Sequence, residues 1–411
     1  MADVRYGNNS CLQIELADGA ACEVGVPRGE PLADVVAAAA AALTEPLDYP
    51  PLRQSTTPGD RVVVALDRGV PRAAELVLAV VESLTDAGVD ADGITVLRSP
   101  SDCDTGADDP RRLLPASLRK RVALVTHDAA DRRQLAYLAA NEAGEAILIN
   151  RALHDADLVV SIGCLHGDRA AGYFGVHTAI YPTFSDTKTL QRFRDLGSLN
   201  GRGVQKREYI VEANNVAWLL GVNFTLQVVP GGGEQVLHAL AGEPDAVRRR
   251  GRELYHAAWD WPVSDRAGLV VAALEGGAAQ QTWENVGRAL HVAGRFVEEG
   301  GAIAVCCGLS ARPGPAMQHL ARAESREAAM KHIGHHRPAD ALAAAQLVSA
   351  LERSRVYLMS QLDPSLVEEL EMIPVASPEE LARLVQHHSS CVLVSNAHYV
   401  VAKGSRHGEE E

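Results

Sequence analysis

The stretch of residues 121–173 constrains the fold of this chain more than any other. It contains two short apolar runs rich in β-branched residues, at 121–125 and 158–162, each bounded by polar residues or glycine. Such runs are typical of strands buried on both faces of a parallel sheet. A histidine follows each run, His127 after the first and His166 after the second.

Functional groups of open α/β folds lie where strands end, so the two imidazoles can face one ligand from opposite sides. This pair is the central hypothesis for the active site. The alternative is that each is a loop histidine whose hydrogen bonds are satisfied without a ligand.

The order of strand-like and helix-like segments predicts an α/β fold. Residues 61–67 (RVVVALD) indicate a buried strand, 72–87 an amphipathic helix, and GITVL the next strand. This is a β-α-β unit, which implies a parallel sheet. A second series of alternating strand-like and helix-like segments begins after residue 262. A chain of 411 residues is also too long for a single hydrophobic core. We therefore predict two α/β domains with mainly parallel sheets, at residues 1–262 and 263–411.

Several segments give more local predictions. The alternating residues 11–26 predict an N-terminal hairpin, 128–140 a helix, and 216–227 a central strand. Asp67 stands at a strand end, where a carboxylate can bind a ligand hydroxyl or cap the following helix.

Composition excludes several classes of function. A net charge of −14 argues against nucleic acid as a partner. There is no apolar run of about 18 residues, and the N-terminus lacks a signal-peptide pattern, so we expect a cytoplasmic protein without a membrane span. Seven cysteines at irregular spacing favour reduced thiols over a disulfide framework. The oligomeric state is not specified by the sequence.

A glycine-spaced loop, AGYFGVHTAIYP, follows His166. Gly172, Gly175 and His177 lie in it. Such spacing lets backbone N–H groups approach an anion, and a plain tight turn explains it equally well. No G-x-G-x-x-G pattern is present, which leaves a conventional dinucleotide site unsupported.

Four segments together resemble the lactate racemase family. They are THDAADRRQLAYLAANEAGEAILINRALHDADLVVSIGCLH, ALDRGVP, LEGGAAQQTWENVGRAL and LDPSLVEEL, and the resemblance extends over roughly residues 12–395. It implies a two-domain α/β protein with its active site in the inter-domain cleft. Members racemise or epimerise 2-hydroxy acids with a nickel-pincer nucleotide, in which nickel is held by sulfur and carbon.

The resemblance also implies roles for particular residues. His127 and His166 match the two histidines that exchange the substrate's hydroxyl proton while a hydride moves to the cofactor and back. The residues implied for cofactor binding are Asp67, Gly172, Gly175, His177, Thr178 and Gln281. No metal ligand is assigned, because Thr178 stands in place of the family's tethering lysine and Arg194 in place of its nickel-binding histidine.

Two functions of different classes follow. The first is a divergent lactate racemase-like isomerase acting on a small 2-hydroxy acid or similar carboxylate. The second is an inactive or repurposed paralogue that binds a small anionic metabolite in the same cleft.

Overall fold

The structure of the protein, a computed structural model, describes residues 2–14, 21–100, 109–167, 175–177, 179–194, 203–263 and 266–404. Within these ranges the strands are β1 Ala2–Tyr6, β2 Ser10–Ile14, β3 Ala21–Val24, β4 Val62–Leu66, β5 Ile94–Arg98, β6 Ala123–Thr126, β7 Leu135–Ala140, β8 Ala146–Asn150, β9 Leu158–Cys164, β10 Phe224–Pro230, β11 Val236–Gly242, β12 Asp260–Pro262, β13 Ala267–Ala273, β14 Val297–Cys306, β15 Arg355–Met359, β16 Ile373–Pro374, β17 Cys391–Val394 and β18 Val401–Lys403.

The α-helices of the same ranges are α1 Val35–Thr44, α2 Ala73–Asp86, α3 Ala116–Arg121, α4 Arg151–His154, α5 Thr187–Phe193, α6 Gly203–Leu219, α7 Pro244–Trp259, α8 Trp283–Phe296, α9 Pro315–Arg322, α10 Arg326–His336, α11 Ala341–Leu351, α12 Pro364–Glu369 and α13 Pro378–Gln386. None of the helices described is long and apolar enough to cross a membrane.

The first sheet has the order β11-β10-β9-β4-β5-β6, and all its strands are parallel except β11. Every residue of β4 is buried, as its unbroken apolar run predicts. Helices α1 and α2 cover one face, where Leu43, Leu76 and Val80 pack against Val62 and Val64. Helix α6 and residues 180–184 cover the other face.

The second sheet has the order β16-β15-β14-β13-β17-β3 and is entirely parallel. Helices α8 and α11 pack on one face through a core that includes Leu290, Ala344 and Val270. On the other face, the β1–β2 hairpin and α13 bury Ile14 and Leu381. The mixed α/β fold with two largely parallel sheets is thus confirmed.

Four local predictions were wrong. Residues 135–140, predicted as helix, form β7, which pairs antiparallel with β8. The predicted hairpin at 11–26 does not form, because β2 pairs with β1 and β3 pairs in parallel with β17. The predicted strand at 216–227 is the end of α6 followed by β10. Strand β6 lies at the edge of its sheet and is partly exposed, so it is not buried on both faces.

The first strands of the chain belong with the second sheet. Strand β3 completes that sheet, and the amide of Gly7 donates to the carbonyl of Leu274 at 2.7 Å. The chain therefore starts on the second sheet, forms the first, and returns to the second. The domain limits 1–262 and 263–411 stay a prediction.

Candidate active site

Each sheet contains a point at which the strand order changes direction. In the first sheet it lies between β4 and β9, and in the second it lies between β13 and β17. Loops that leave neighbouring strands at such a point diverge and leave a crevice at the carboxyl ends, where α/β proteins bind ligands. Asp67 follows β4, and His166 follows β9 by two residues.

The carboxyl ends of the two sheets meet. The side-chain amide of Gln280 donates to the carbonyl of Gly69 at 2.9 Å, and the backbone N–H of Gly233 donates to Asn396 Oδ1 at 2.9 Å. The backbone N–H of Gly277 donates to Glu234 Oε1, also at 2.9 Å. We call this region the junction, formed by residues 67–69, 164–166, 231–234, 275–288 and 396–399. Because the switch points of both sheets face it, the junction is the candidate active site.

Charged side chains bridge the junction. Both terminal nitrogens of Arg68 lie 3.0 Å from the carboxylate oxygens of Glu284. Arg288 also contacts Glu284, at 2.6 Å. Burial acts to raise the pKa of Glu284, but Arg68, Arg288 and Arg194 outweigh it and the pKa is lowered. Glu284 is therefore ionised at neutral pH and holds the cations of both sheets together.

Asp67 lies beside this network. Burial raises the pKa of its carboxyl, while the neighbouring Arg68 charge opposes that effect. Its Oδ1 accepts a hydrogen bond from the backbone N–H of Arg68 at 2.9 Å. The structure thus places Asp67 at the junction, as predicted from its position at a strand end.

Gln281 shapes the loop after β13. Its amide nitrogen donates to the carbonyls of Leu274 and Gly276, at 3.3 and 3.0 Å, and its oxygen accepts from the backbone N–H of Gly308 at 2.7 Å. Gly276 has a φ of +124°, and a Cβ there would lie 2.7 Å from the Gln280 side chain. Gln281 therefore acts through the backbone that it holds in place.

His166 is half-buried at the junction. Its ring lies 5.9 Å from the Tyr399 ring, measured between centroids. Burial, with Arg288, His398 and Arg68 nearby, lowers the pKa of His166 well below its usual 6.5. The imidazole is therefore neutral at pH 7, and a neutral imidazole can accept a proton.

His127 has a different environment. Its ring is 1% exposed; Nε2 lies 2.8 Å from the carbonyl of Ser185, and Nδ1 lies 2.9 Å from the amide nitrogen of Asn150. The amide donates to Nδ1, so Nε2 carries the proton given to Ser185. Burial lowers the pKa of His127. Both ring nitrogens are thus engaged within the protein.

The two predicted histidines do not leave neighbouring strands. His127 follows β6, and β5 and β4 separate that strand from β9. At a strand spacing of about 4.8 Å, the two strand ends lie about 14 Å apart. The pairing of His127 with His166 stays a prediction, and the structure brings His166, not His127, into contact with the residues of the junction.

The other predicted residues belong to the glycine-spaced segment after His166. His177 is surrounded by Asp245, Glu243 and Arg248, and burial lowers its pKa. Gly175 lies in the short described stretch 175–177, whereas Gly172 and Thr178 lie outside the described residues.

Sequence analysis missed His398 and Tyr399. They follow β17, the strand at the second switch point, and are 4% and 1% exposed. The Tyr399 ring contacts both His398, at 4.0 Å, and His166, at 5.9 Å. The rule that singled out His166 would have found them, since SNAHYV directly follows the strand CVLV.

Among the described residues, the donor set does not fit a nickel-pincer nucleotide. Within the described ranges, no group of three or more His, Cys, Asp and Glu side chains is arranged to hold a metal. Arg194 packs near Arg68 and Glu284; burial lowers its pKa to about 10, which leaves it a cation and no metal ligand at pH 7. The thiol of Cys164 is buried with a raised pKa, which makes it a poor nucleophile.

Comparisons with known proteins agree with this architecture. A family model described as the lactate racemase N-terminal domain matches residues 6–202. The lactate racemase apoprotein from Thermoanaerobacterium thermosaccharolyticum superposes with a TM-score of 0.76 at 16% identity, over 98% of this chain and 100% of that one. A structural-genomics protein from Thermotoga maritima gives a TM-score of 0.67 at 14% identity, over 92% and 99%. Curated proteins gave no match.

The match to the lactate racemase N-terminal domain model thus spans residues 6–202, and the chain as a whole has the fold of the lactate racemase apoprotein.

Proposed function

We propose that the protein is a lactate racemase-like isomerase that inverts the configuration at C2 of a small 2-hydroxy carboxylate bound at the junction. The observation that carries this proposal is the position of His166, a neutral imidazole at the first switch point, with Arg288 and Arg68 nearby. Inversion of a 2-hydroxy acid by hydride transfer requires a group that takes and returns the hydroxyl proton, an acceptor for the C2 hydride, and positive charge near the carboxylate.

Each residue has a distinct part in this proposal. His166 accepts the proton of the C2 hydroxyl, because its lowered pKa keeps it neutral in the absence of substrate. Arg68 and Arg288 supply positive charge at the junction for the carboxylate, and Glu284 holds both in place. Because the junction is largely buried, these charges act more strongly than they would in water.

The hydrogen on C2 must also leave and return. In the family that the chain resembles, it moves as a hydride to a nickel-pincer nucleotide. The residues that the structure describes do not fit that group, so no step through it is assigned. The two ways in which the hydrogen can move are separable in D₂O, because a proton exchanges with solvent and a hydride held on an acceptor does not.

The test uses protein produced alone and protein co-produced with cofactor-making enzymes. Each preparation is incubated with the separate enantiomers of lactate, 2-hydroxybutyrate and malate, and inversion is followed by chiral chromatography and by deuterium at C2. His166→Ala should lower the rate by about 10²–10⁴, the usual contribution of a general acid or base. His154→Ala, at an exposed histidine paired with Asp155, is the matched control and should keep the wild-type rate.

Absence of inversion in both preparations, for every acid tested, would rule out the isomerase. A His166→Ala variant as active as wild type would remove His166 from the mechanism while leaving the activity established.

A second function has one specific observation in its favour. Burial leaves the guanidinium of Arg194 a cation at pH 7, near Arg68 and Glu284, where it suits the site to binding an anion without turnover. In that case calorimetry would detect binding of a carboxylate from the same set, and chiral chromatography would show its configuration unchanged.

A further inference from the structure

Two adjacent residues at the end of β17 carry polar atoms that the fold leaves unused. His398 is 4% exposed and Tyr399 is 1% exposed. Within the part of the chain that the structure describes, His398 Nδ1, His398 Nε2 and the Tyr399 hydroxyl have no hydrogen-bond partner. Buried polar groups are nearly always paired, so three orphaned atoms on neighbouring residues require an explanation.

The backbone of this segment is well fixed. The N–H of Ala397 donates to the carbonyl of Ala273 at 3.0 Å, and the Tyr255 hydroxyl donates to the carbonyl of Tyr399 at 2.6 Å. The Tyr399 ring also packs against Trp259, at 5.3 Å between centroids. The two side chains are therefore held in place by their neighbours, while their own polar atoms contribute nothing to that stability.

The segment faces His166. Both imidazoles pack on the Tyr399 ring, and the charge of Arg288 acts on both. One histidine comes from the switch point of each sheet. A ligand at the junction would thus lie between groups supplied by both halves of the molecule.

We propose that His398 and the Tyr399 hydroxyl contact the ligand opposite His166, so that the functional imidazole pair is His166 with His398 rather than His127 with His166. A neutral imidazole and a phenol can each both donate and accept a hydrogen bond. With Arg288 beside them, they suit a molecule that carries a hydroxyl next to a carboxylate. This choice of ligand rests on the proposed function; the location of the site does not.

The first experiment locates the contacts by NMR and needs no turnover. Protein labelled with ¹⁵N-histidine is titrated with D-lactate and with L-lactate, and each ring nitrogen is assigned by substituting single histidines. We expect the ring nitrogens of His166 and His398 to shift and those of His127 to stay unchanged. Shifts at His127 without shifts at His398 would overturn the proposal.

The second experiment uses variants that remove only the unused atoms. Tyr399→Phe deletes the hydroxyl and keeps the ring, and His398→Leu deletes both nitrogens. Each should weaken lactate binding by about three- to tenfold, the effect of losing one hydrogen bond, when measured by calorimetry. Neither should lower the melting temperature of the ligand-free protein, because no internal hydrogen bond is lost.

His127→Leu is the matched control, since it removes a buried imidazole that has internal partners. It should lower the melting temperature. A fall of similar size for His398→Leu and Tyr399→Phe would show that their polar atoms serve the fold and would overturn the proposal.

The two proposals can fail separately. If neither enantiomer of lactate nor the other acids of the set bind, the 2-hydroxy acid isomerase is excluded. The site is then decided by melting temperatures alone: variants at least as stable as wild type support a ligand site at His398 and Tyr399, and destabilised variants reject it.

Discussion

The ends of β6 and β17 each carry a buried histidine, and the two differ in one respect. At the end of β6, both nitrogens of His127 are hydrogen-bonded, to Ser185 and Asn150. At the end of β17, neither nitrogen of His398 has a partner among the described residues. The rings are almost equally buried, at 1% and 4% exposure. Burial and position after a strand therefore do not distinguish the two histidines, whereas the hydrogen-bond partners of their nitrogens do.

The difference has a physical basis. A buried imidazole with two internal partners stabilises the fold, and its removal leaves those partners without a hydrogen bond. A buried imidazole without them costs stability in the ligand-free protein, and natural proteins tolerate such costs mainly at functional sites. The following three predictions test this contrast.

The largest effect should come from His127→Leu. The substitution deprives the Asn150 amide and the Ser185 carbonyl of their partners inside the core, and it should lower the free energy of unfolding by about 2–4 kcal/mol. Urea unfolding followed by circular dichroism measures the change. The exposed control His154→Leu should stay within about 0.5 kcal/mol of wild type. If His127→Leu lowers the free energy of unfolding by less than about 1 kcal/mol, the contrast between His127 and His398 is wrong.

The pH dependence of stability should distinguish the two sites next. Burial lowers the pKa of His398 to about 3, with Arg288 adding to the effect. Because the unfolded chain binds this proton near pH 6.5 and the folded protein does not, stability is lost as the pH falls from 7 towards 3. His398 should account for about 2 kcal/mol of the loss between pH 7 and pH 5.

His398→Leu should remove that portion of the pH dependence. Tyr399→Phe is the control, because the pKa of its phenol is raised far above this range and the substitution leaves His398 in place. Unfolding curves at the two pH values suffice. An unchanged slope in His398→Leu would mean that the pKa of His398 is the same in the folded protein as in the unfolded chain.

A smaller effect is expected for Asn150→Ala. This variant leaves His127 in place and removes the donor to its Nδ1, together with the bond from the N–H of Ala152 to Asn150 Oδ1 at 2.9 Å. It should cost about 1–2 kcal/mol, less than His127→Leu, without weakening lactate binding. If Asn150→Ala weakens lactate binding while it still unfolds cooperatively, His127 contributes to the ligand site after all.

Local pattern predicted much of the fold. The sequence correctly predicted β4, β9 and the amphipathic α2. A strand buried on both faces, or a helix buried on one, shows its burial in the pattern of consecutive apolar residues. Residues 135–140 were not, since LAYLAA favours helix by propensity while pairing with β8 makes it a strand. The secondary structure of such segments is determined by pairing with another strand and not by their own residues alone.

The candidate site was only partly predictable for the same reason. Asp67 and His166 follow β4 and β9, as the strand-like runs in the sequence predicted, and their roles stay predictions. That Nε2 of His127 meets Ser185, 58 residues away, cannot be read from neighbouring residues. His398 reaches the junction because β17 lies beside β13, and only the strand order of the folded sheet shows this neighbourhood.

The pairing of β3 with β17 has a consequence for how the protein is made. Ala21 lies beside Cys391, with roughly 370 residues of sequence between them. At a translation rate of about 5–20 residues per second, β3 leaves the ribosome some 20–70 s before its neighbour exists. During synthesis the first sheet can close on its own, while β3 waits as an unpaired strand with an open edge. The second sheet, and with it the loop that carries His398, is completed only when the last part of the chain arrives.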